Sequence, residues 1–261
     1  MDPTLYAKTL GQKLRAVFFD AGLTLIRSEL PLAERCAQTA RTYGFSVTSE
    51  QVEKALPSAM SKMLQSHRDD PNIWSSDAKV ARLWREYYIN VFREVGVDGD
   101  LETCAEEIYA QYNRPGAWTL YPDVLPTLQN LNEQKYIIGV ISDWSSNLPA
   151  EILLPLGVGP YIDFMVVSTI QREAKPGAGL YREALARANV GPEQAIHVGD
   201  NYINDILGAR AAGIPGVLLD RDERYLFAVD CPRITTLHEL PPLLDALGQT
   251  KSGSGPNIHS H

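Results

Sequence analysis

The chain has 261 residues, with 44% hydrophobic and 21% charged side chains and a formal net charge of −8. These values suit one large globular domain or two modest ones and exclude a disordered chain. The acidic balance argues against broad binding to nucleic acid or to an anionic membrane, because no basic excess exists to neutralise phosphates. Cys36, Cys104 and Cys231 stand far apart, without metal-ligand spacing, and read as buried or incidental thiols in a reducing compartment. No apolar run approaches the roughly 18 residues that a membrane helix needs. The first residues lack the basic-then-apolar pattern of a secretion signal. A cytoplasmic protein is the expectation.

In chain order, AVFF at Ala16–Phe19 is short and apolar and ends in Asp20, which predicts a buried parallel strand with an acid at its carboxyl end. Residues 30–116 carry helical patterns and no convincing strand. Helices are predicted over 31–43, 49–65, 77–96 and 101–112, and in the third Val80, Trp84, Tyr87, Tyr88, Val91, Phe92 and Val95 share one apolar face. Further strands are predicted over 136–142, 164–168, 195–200 and 216–220. Helices lie between them, one with Leu125, Leu128 and Leu131 on its face, one with Tyr181, Leu185 and Ala188, and one with Ile206, Ala209 and Ala212 that Gly213 stops. Alternating strands and helices predict an α/β fold with a doubly wound parallel sheet and a site at the strands' carboxyl ends. The expected division is a core of residues 1–27 and 117–248, an inserted helical domain of 28–116, and a flexible tail of 249–261.

Several core strands end in chemically useful residues. Asp20 is followed by Thr24, the second strand ends in Ser142, Lys175 precedes Pro176 in the connection after the third, and GDNYIND supplies Asp200 and Asp205. Singly, each reads as a cap or a turn. Together they bring a carboxylate nucleophile, a hydroxyl, an ammonium and two more carboxylates to one sheet edge. Hard oxygen ligands of this kind suit Mg²⁺ bound beside a phosphate, and Lys175 balances the charge of a nucleophile and a phosphoryl group.

The segments FFDAGLTL, GVISDWSSN, EAKPGAGLY and HVGDNYINDILGARAAGI resemble the motifs of the haloacid dehalogenase (HAD) superfamily, and the resemblance runs from Ala16 to about Leu247. HVGDNYINDILGARAAG is closest to the subgroup containing haloacid dehalogenase-like hydrolase domain-containing protein 3 and the fly rhythmically expressed gene 2 product. The resemblance implies a Rossmann-type core with a helical cap. It implies Asp20 as nucleophile and metal ligand, Gly22 as a metal ligand through its carbonyl, and Thr24 as support for the nucleophile loop. Ser142 and Lys175 would hold the phosphoryl group, and Asp200 and Asp205 would serve Mg²⁺, with Asp205 ligating it or orienting its water and Lys175. The implied partner is a small phosphorylated substrate.

The departure is Gly22, which stands where the phosphatases of that superfamily carry a second acid. That acid protonates the leaving alkoxide, and its loss costs roughly 10²–10⁴-fold in rate. Good leaving groups tolerate the loss. Lys62, His67 and Glu29 are weak candidates for a substitute, and Trp144 is a candidate for the mouth of the site. Three readings follow: a Mg²⁺-dependent phosphatase, a 2-haloacid dehalogenase, which needs neither the second acid nor the metal, and a non-catalytic binding protein. Asp200 and Asp205 beside a carboxylate nucleophile favour the metal-dependent reading, because without a cation their charges repel.

Overall fold

The computed structural model of the protein describes residues 13–70, 72–225 and 230–249. The predicted first strand is β1 (Ala16–Phe19), buried at every residue. A strand covered on both faces needs no polar alternation, which is why it reads as a continuous apolar run. The chain passes through the short β2 (Ile26–Ser28) into four helices, α1 (Leu32–Thr42), α2 (Ser49–Asp69), α3 (Asp77–Val95) and α4 (Leu101–Tyr112). It returns through β3 (Trp118–Leu120), which pairs antiparallel with β2. α5 (Val124–Glu133), β4 (Ile137–Ser142), β5 (Phe164–Val167), the single turn α6 (Ser168–Gln171) and α7 (Gly179–Ala188) follow. β6 (Ala195–Gly199), α8 (Gly208–Ala211), β7 (Gly216–Leu219), β8 (Arg233–Ile234) and α9 (Leu240–Gln249) complete the fold.

The main sheet has six strands in the order β5-β4-β1-β6-β7-β8, all parallel. From β1 the chain winds outward through β4 and β5, then crosses to β6 on the other side of β1. The carboxyl ends of β1, β4 and β6 therefore meet where the winding reverses, the usual place for a ligand crevice in such a sheet. The sheet is doubly wound, as predicted.

The four helices α1–α4 bury a core of their own, built on Cys36, Val52, Ala59, Tyr87, Val91, Phe92, Cys104 and Ile108. Thr48 and Gln51 cap α2 reciprocally, Ser76 and Asp100 cap α3 and α4, and Gly96 ends α3 at φ 83°. In α5 the three-residue leucine spacing misleads. Leu125 turns outward at 38% exposure, and the buried face is Val124, Thr127, Leu128 and Leu131. That spacing follows the 3.6-residue period, from which a strict repeat of three drifts away.

One buried ion pair ties the sheet's far side to the loop after β1. Arg221 donates to both carboxylate oxygens of Asp123, at 2.8 and 2.9 Å, and to the Thr24 carbonyl at 2.9 Å. Its guanidinium lies 3.9 Å from the centre of the Tyr121 ring. Thr236 and the Leu237 N–H also donate to Asp123. Burial opposes the charge, yet Arg221 and these donors hold the Asp123 carboxyl below its ordinary range. With side chains only 13% and 6% exposed, the pair is costly to break. Asp123→Asn is expected to lower unfolding stability by about 3–5 kcal/mol, because it leaves the guanidinium buried without its counter-charge. Urea unfolding measures this. Because the folded-state pKa is depressed, the pair's contribution is complete above about pH 3.9 and is lost as pH falls through the folded value below that.

Candidate active site

The Asp20 N–H donates to the Val198 carbonyl at 2.9 Å. The β1–β6 ladder thus continues one residue past the strand and fixes the backbone that carries this carboxylate. Lys175 Nζ lies 2.6 Å from Asp20 Oδ1 and 2.6 Å from Asp205 Oδ1, with its side chain 3% exposed. The Ser142 hydroxyl, at the end of β4, donates to the same Asp20 oxygen at 3.3 Å. Asp205 is fully engaged: Oδ1 also faces His197 Nε2 at 3.2 Å, and Oδ2 accepts from the Asn201 N–H at 2.9 Å. It projects from a π-helical turn, Tyr202–Leu207, a form that recurs at functional sites. Gly199 makes its approach feasible, since a Cβ there would lie 2.2 Å from Asp205 Cγ.

Asp200, just past β6, is joined by Arg224, whose Nη2 lies 3.3 Å from Oδ2. Asp20, Asp200 and Asp205 each offer a carboxylate oxygen within 4.8 Å of the others. Lys175 is the buried ammonium among them. Burial pushes the Asp20 carboxyl up and the charge on Asp205 adds to this, against the pull of Lys175. Burial, with Asp20 and Asp205 nearby, pushes Asp200 up to about 7. For Asp205 burial is overcome by Lys175 and His197, which hold it well below the ordinary range. Burial likewise disfavours the Lys175 charge, but the two carboxylates hold its pKa well above the usual value. The cluster is short of positive charge and rich in hard oxygen donors, so it fits a divalent cation.

The sheet edge thus gathers Asp20, Ser142, Lys175, Asp200 and Asp205. Gly22 lies in the loop beyond Asp20, bridged to Ile26. Thr24 is fully buried, and its hydroxyl takes no partner among the described residues, while its carbonyl receives Arg221. Lys62 is not brought to the cluster; it pairs with Glu94 at 2.6 Å on the surface. Asp143, which follows Ser142, accepts the Lys175 N–H at 3.0 Å through Oδ1, and its Oδ2 is shut off from solvent without a partner among the described residues. Burial pushes its carboxyl up to about 7.

Three residues had no place in the sequence reading. His197 sits fully buried in β6, and burial pushes its imidazole below the ordinary value. A histidine inside an otherwise apolar strand was the available signal. Arg221 and Arg224 lie in the loop after β7, where no residue spacing marks them.

A haloacid dehalogenase-like hydrolase model matches residues 14–213. Haloacid dehalogenase-like hydrolase domain-containing protein 3 of Mus musculus is 32% identical over 93% of this chain and 97% of its own length. Glyceraldehyde 3-phosphate phosphatase of Pyrococcus furiosus is 24% identical, covering 95% of this chain and 99% of that one. Among solved structures, a HAD phosphatase from Thermococcus onnurineus shares the fold with a TM-score of 0.60 and 23% identity, over 88% of this chain and 98% of that one. With the matched segment spanning β1 through α8 and every strand that carries the acid cluster, the chain belongs to the haloacid dehalogenase-like hydrolase family.

Proposed function

We propose that this hydrolase is a Mg²⁺-dependent phosphatase of small phosphorylated metabolites, working through an aspartyl-phosphate on Asp20. The observation that carries the reading is the Asp20 carboxylate, held by Lys175 and Ser142 inside a cluster of three acids. The relative named as a glyceraldehyde 3-phosphate phosphatase supports a phosphoryl substrate. A dehalogenase would need no cation, which leaves the excess of buried carboxylates unexplained.

In this reading Asp20, Asp200 and the Gly22 carbonyl hold the metal, which when bound supplies positive charge to the phosphoryl oxygens. Asp205 has both oxygens occupied and acts by orienting Lys175. Lys175 and the Ser142 hydroxyl hold the phosphoryl group against Asp20, an arrangement that stabilises charge as it spreads over phosphorus. An oxygen of Asp20 attacks phosphorus, the leaving oxygen departs, and water later hydrolyses the acyl phosphate.

Residues 28–116 form a cap in this proposal, with residues 1–27 and 117–248 as the core; of these ranges 1–12, 71 and 226–229 lie outside the described residues. Two features support it. The β2–β3 ribbon stands where the chain leaves and re-enters the core. The loop after β4 touches the helices through Ser146 to Asp77, with the N–H at 2.8 Å and the hydroxyl at 2.5 Å, and through Asn147 to Asn113 at 2.9 Å. A cytoplasmic setting is consistent with the buried free thiols of Cys36, Cys104 and Cys231. Among the described residues no helix is long and apolar enough to cross a membrane. The tail predicted to be flexible falls almost entirely outside the described residues.

The reading is tested by phosphate release from an aryl phosphate and glyceraldehyde 3-phosphate, with Mg²⁺ and with a chelator. Release that Mg²⁺ supports and the chelator stops is expected. Chelator-insensitive halide release from a 2-haloacid, without phosphate release, would overturn it. A second readout needs no turnover. Mg²⁺ at about 100 times its Kd is expected to stabilise the fold by about 2.7 kcal/mol. Asp200→Asn is expected to lose that shift in thermal unfolding while being no less stable than wild type without metal, because a repelled charge is gone. An undiminished Mg²⁺ shift in Asp200→Asn would remove Asp200 from the metal set.

A further inference from the structure

Gly22 is a glycine for a reason that its backbone does not supply: it does not lie in the left-handed region. Its surroundings supply the reason. A Cβ built on Gly22 would sit 3.2 Å from Cζ3 of the Trp144 indole, closer than ordinary contact. The backbone that carries the indole is held: the fully buried Ser168 hydroxyl accepts the Trp144 main-chain N–H at 3.1 Å and donates to the Trp144 carbonyl at 3.3 Å. The ring packs edge-on against Trp118 with centroids 4.8 Å apart, and Trp118 is anchored by its own N–H to the Tyr112 carbonyl at 2.8 Å. The next residue in the nucleophile loop, Leu23, is apolar, 48% exposed and held at φ 58°.

We infer that Trp144 is a specificity-determining residue: its indole takes the space that an acid side chain at Gly22 would need, and it selects phosphates whose leaving group departs unprotonated and is apolar, namely aryl and aromatic acyl phosphates. This deepens the phosphatase reading and rests on it. Gly22 has no proton to give, and the half-buried indole beside it offers a flat apolar surface to a departing ring. The chemistry balances without a proton donor. An Asp20 oxygen bonds to phosphorus, the bond from phosphorus to the leaving oxygen breaks, and its electron pair leaves as a phenolate or carboxylate. Water then attacks the aspartyl-phosphate, the acyl bond to phosphorus breaks, Asp20 returns as a carboxylate, and both water protons stay on the released phosphate as its monoanion.

The experiment compares kcat/KM for Mg²⁺-loaded enzyme across ring-substituted phenyl phosphates, benzoyl phosphate, acetyl phosphate and glyceraldehyde 3-phosphate, each with Asp20→Asn as the blank. Wild type is expected to slow steeply as the leaving group becomes more basic. The alkyl phosphate should lag by roughly 10²–10⁴-fold, the worth of a positioned general acid. Benzoyl phosphate should outpace acetyl phosphate, and that preference should vanish in Trp144→Ala but survive in Trp144→Phe. Intact mass should detect a phosphorylated wild-type chain with benzoyl phosphate. Gly22→Asp alone should leave the alkyl deficit in place, whereas Gly22→Asp with Trp144→Ala, which makes room for the acid, should narrow it at least about tenfold. A flat leaving-group dependence, or a benzoyl preference indifferent to Trp144→Ala in a chain with wild-type circular dichroism, overturns the inference and leaves the phosphatase reading standing. Absence of any Asp20-dependent phosphate release overturns both.

Discussion

Asp20→Asn is expected to cut Mg²⁺-dependent phosphate release by at least ~10⁴-fold, the scale seen when a covalent nucleophile is removed. An amide oxygen cannot take the place of a carboxylate oxygen in attack on phosphorus. The same change should leave the fold intact. Asp20 is one of three clustered carboxylates and shares Lys175 with Asp205, and burial already disfavours its charge. Removing that charge relieves repulsion, while the amide oxygen still accepts from Lys175 and Ser142. The melting temperature without metal should therefore hold or rise as activity disappears. This pairing of readouts separates chemistry from collapse. Activity within tenfold of wild type would show that another group attacks phosphorus.

The longer strands of the sheet were legible because their signals are local. A buried parallel strand is an apolar run a few residues long, and β1, β4, β5, β6 and β7 each announce themselves that way. β2, β3 and β8 did not. They have two or three residues each, and their register comes from the partner strand, as in Ile26 opposite Leu120. No apolar period exists over so few positions. The same limit applies to the π-helical turn at Tyr202–Leu207, where Ile203 and Leu207 face outward. Its shape is set by the need to lay Asp205 against Gly199, a contact that a helical period does not encode.

The polar half of the site was legible through residue type and order: the acid after β1, the hydroxyl after β4, the lysine before Pro176 and the two acids after β6. What was missing are relations between distant segments. His197 reads as an oddity until Asp205 is placed 3.2 Å from it. Arg224 reads as surface charge until it meets Asp200. Gly22 reads as a lost acid, and only the fold puts the Trp144 ring 3.2 Å from where its Cβ would stand.

Lys175→Met should be the most damaging single change to the folded state at this site. The ammonium is 3% exposed and lies 2.6 Å from two carboxylates that are themselves nearly inaccessible. Taking it away leaves Asp20 and Asp205 buried beside each other without a counter-charge, a loss of about 3–5 kcal/mol. At about 2–4 °C per kcal/mol for a chain of this size, thermal unfolding should begin markedly earlier. Mg²⁺ should recover part of that loss, since a cation held by Asp20 and Asp200 supplies positive charge beside the acids that Lys175 served. Phosphate release should not recover, because the group that holds the phosphoryl oxygens beside Asp20 is absent. Lys175→Arg separates charge from shape: a planar guanidinium cannot place one nitrogen 2.6 Å from both acids in the same pocket. It is expected to be more stable than Lys175→Met and equally inactive. If Lys175→Met instead melts with wild type in the absence of metal, the two carboxylates are not relying on that ammonium, and the electrostatic account of the cluster fails with it.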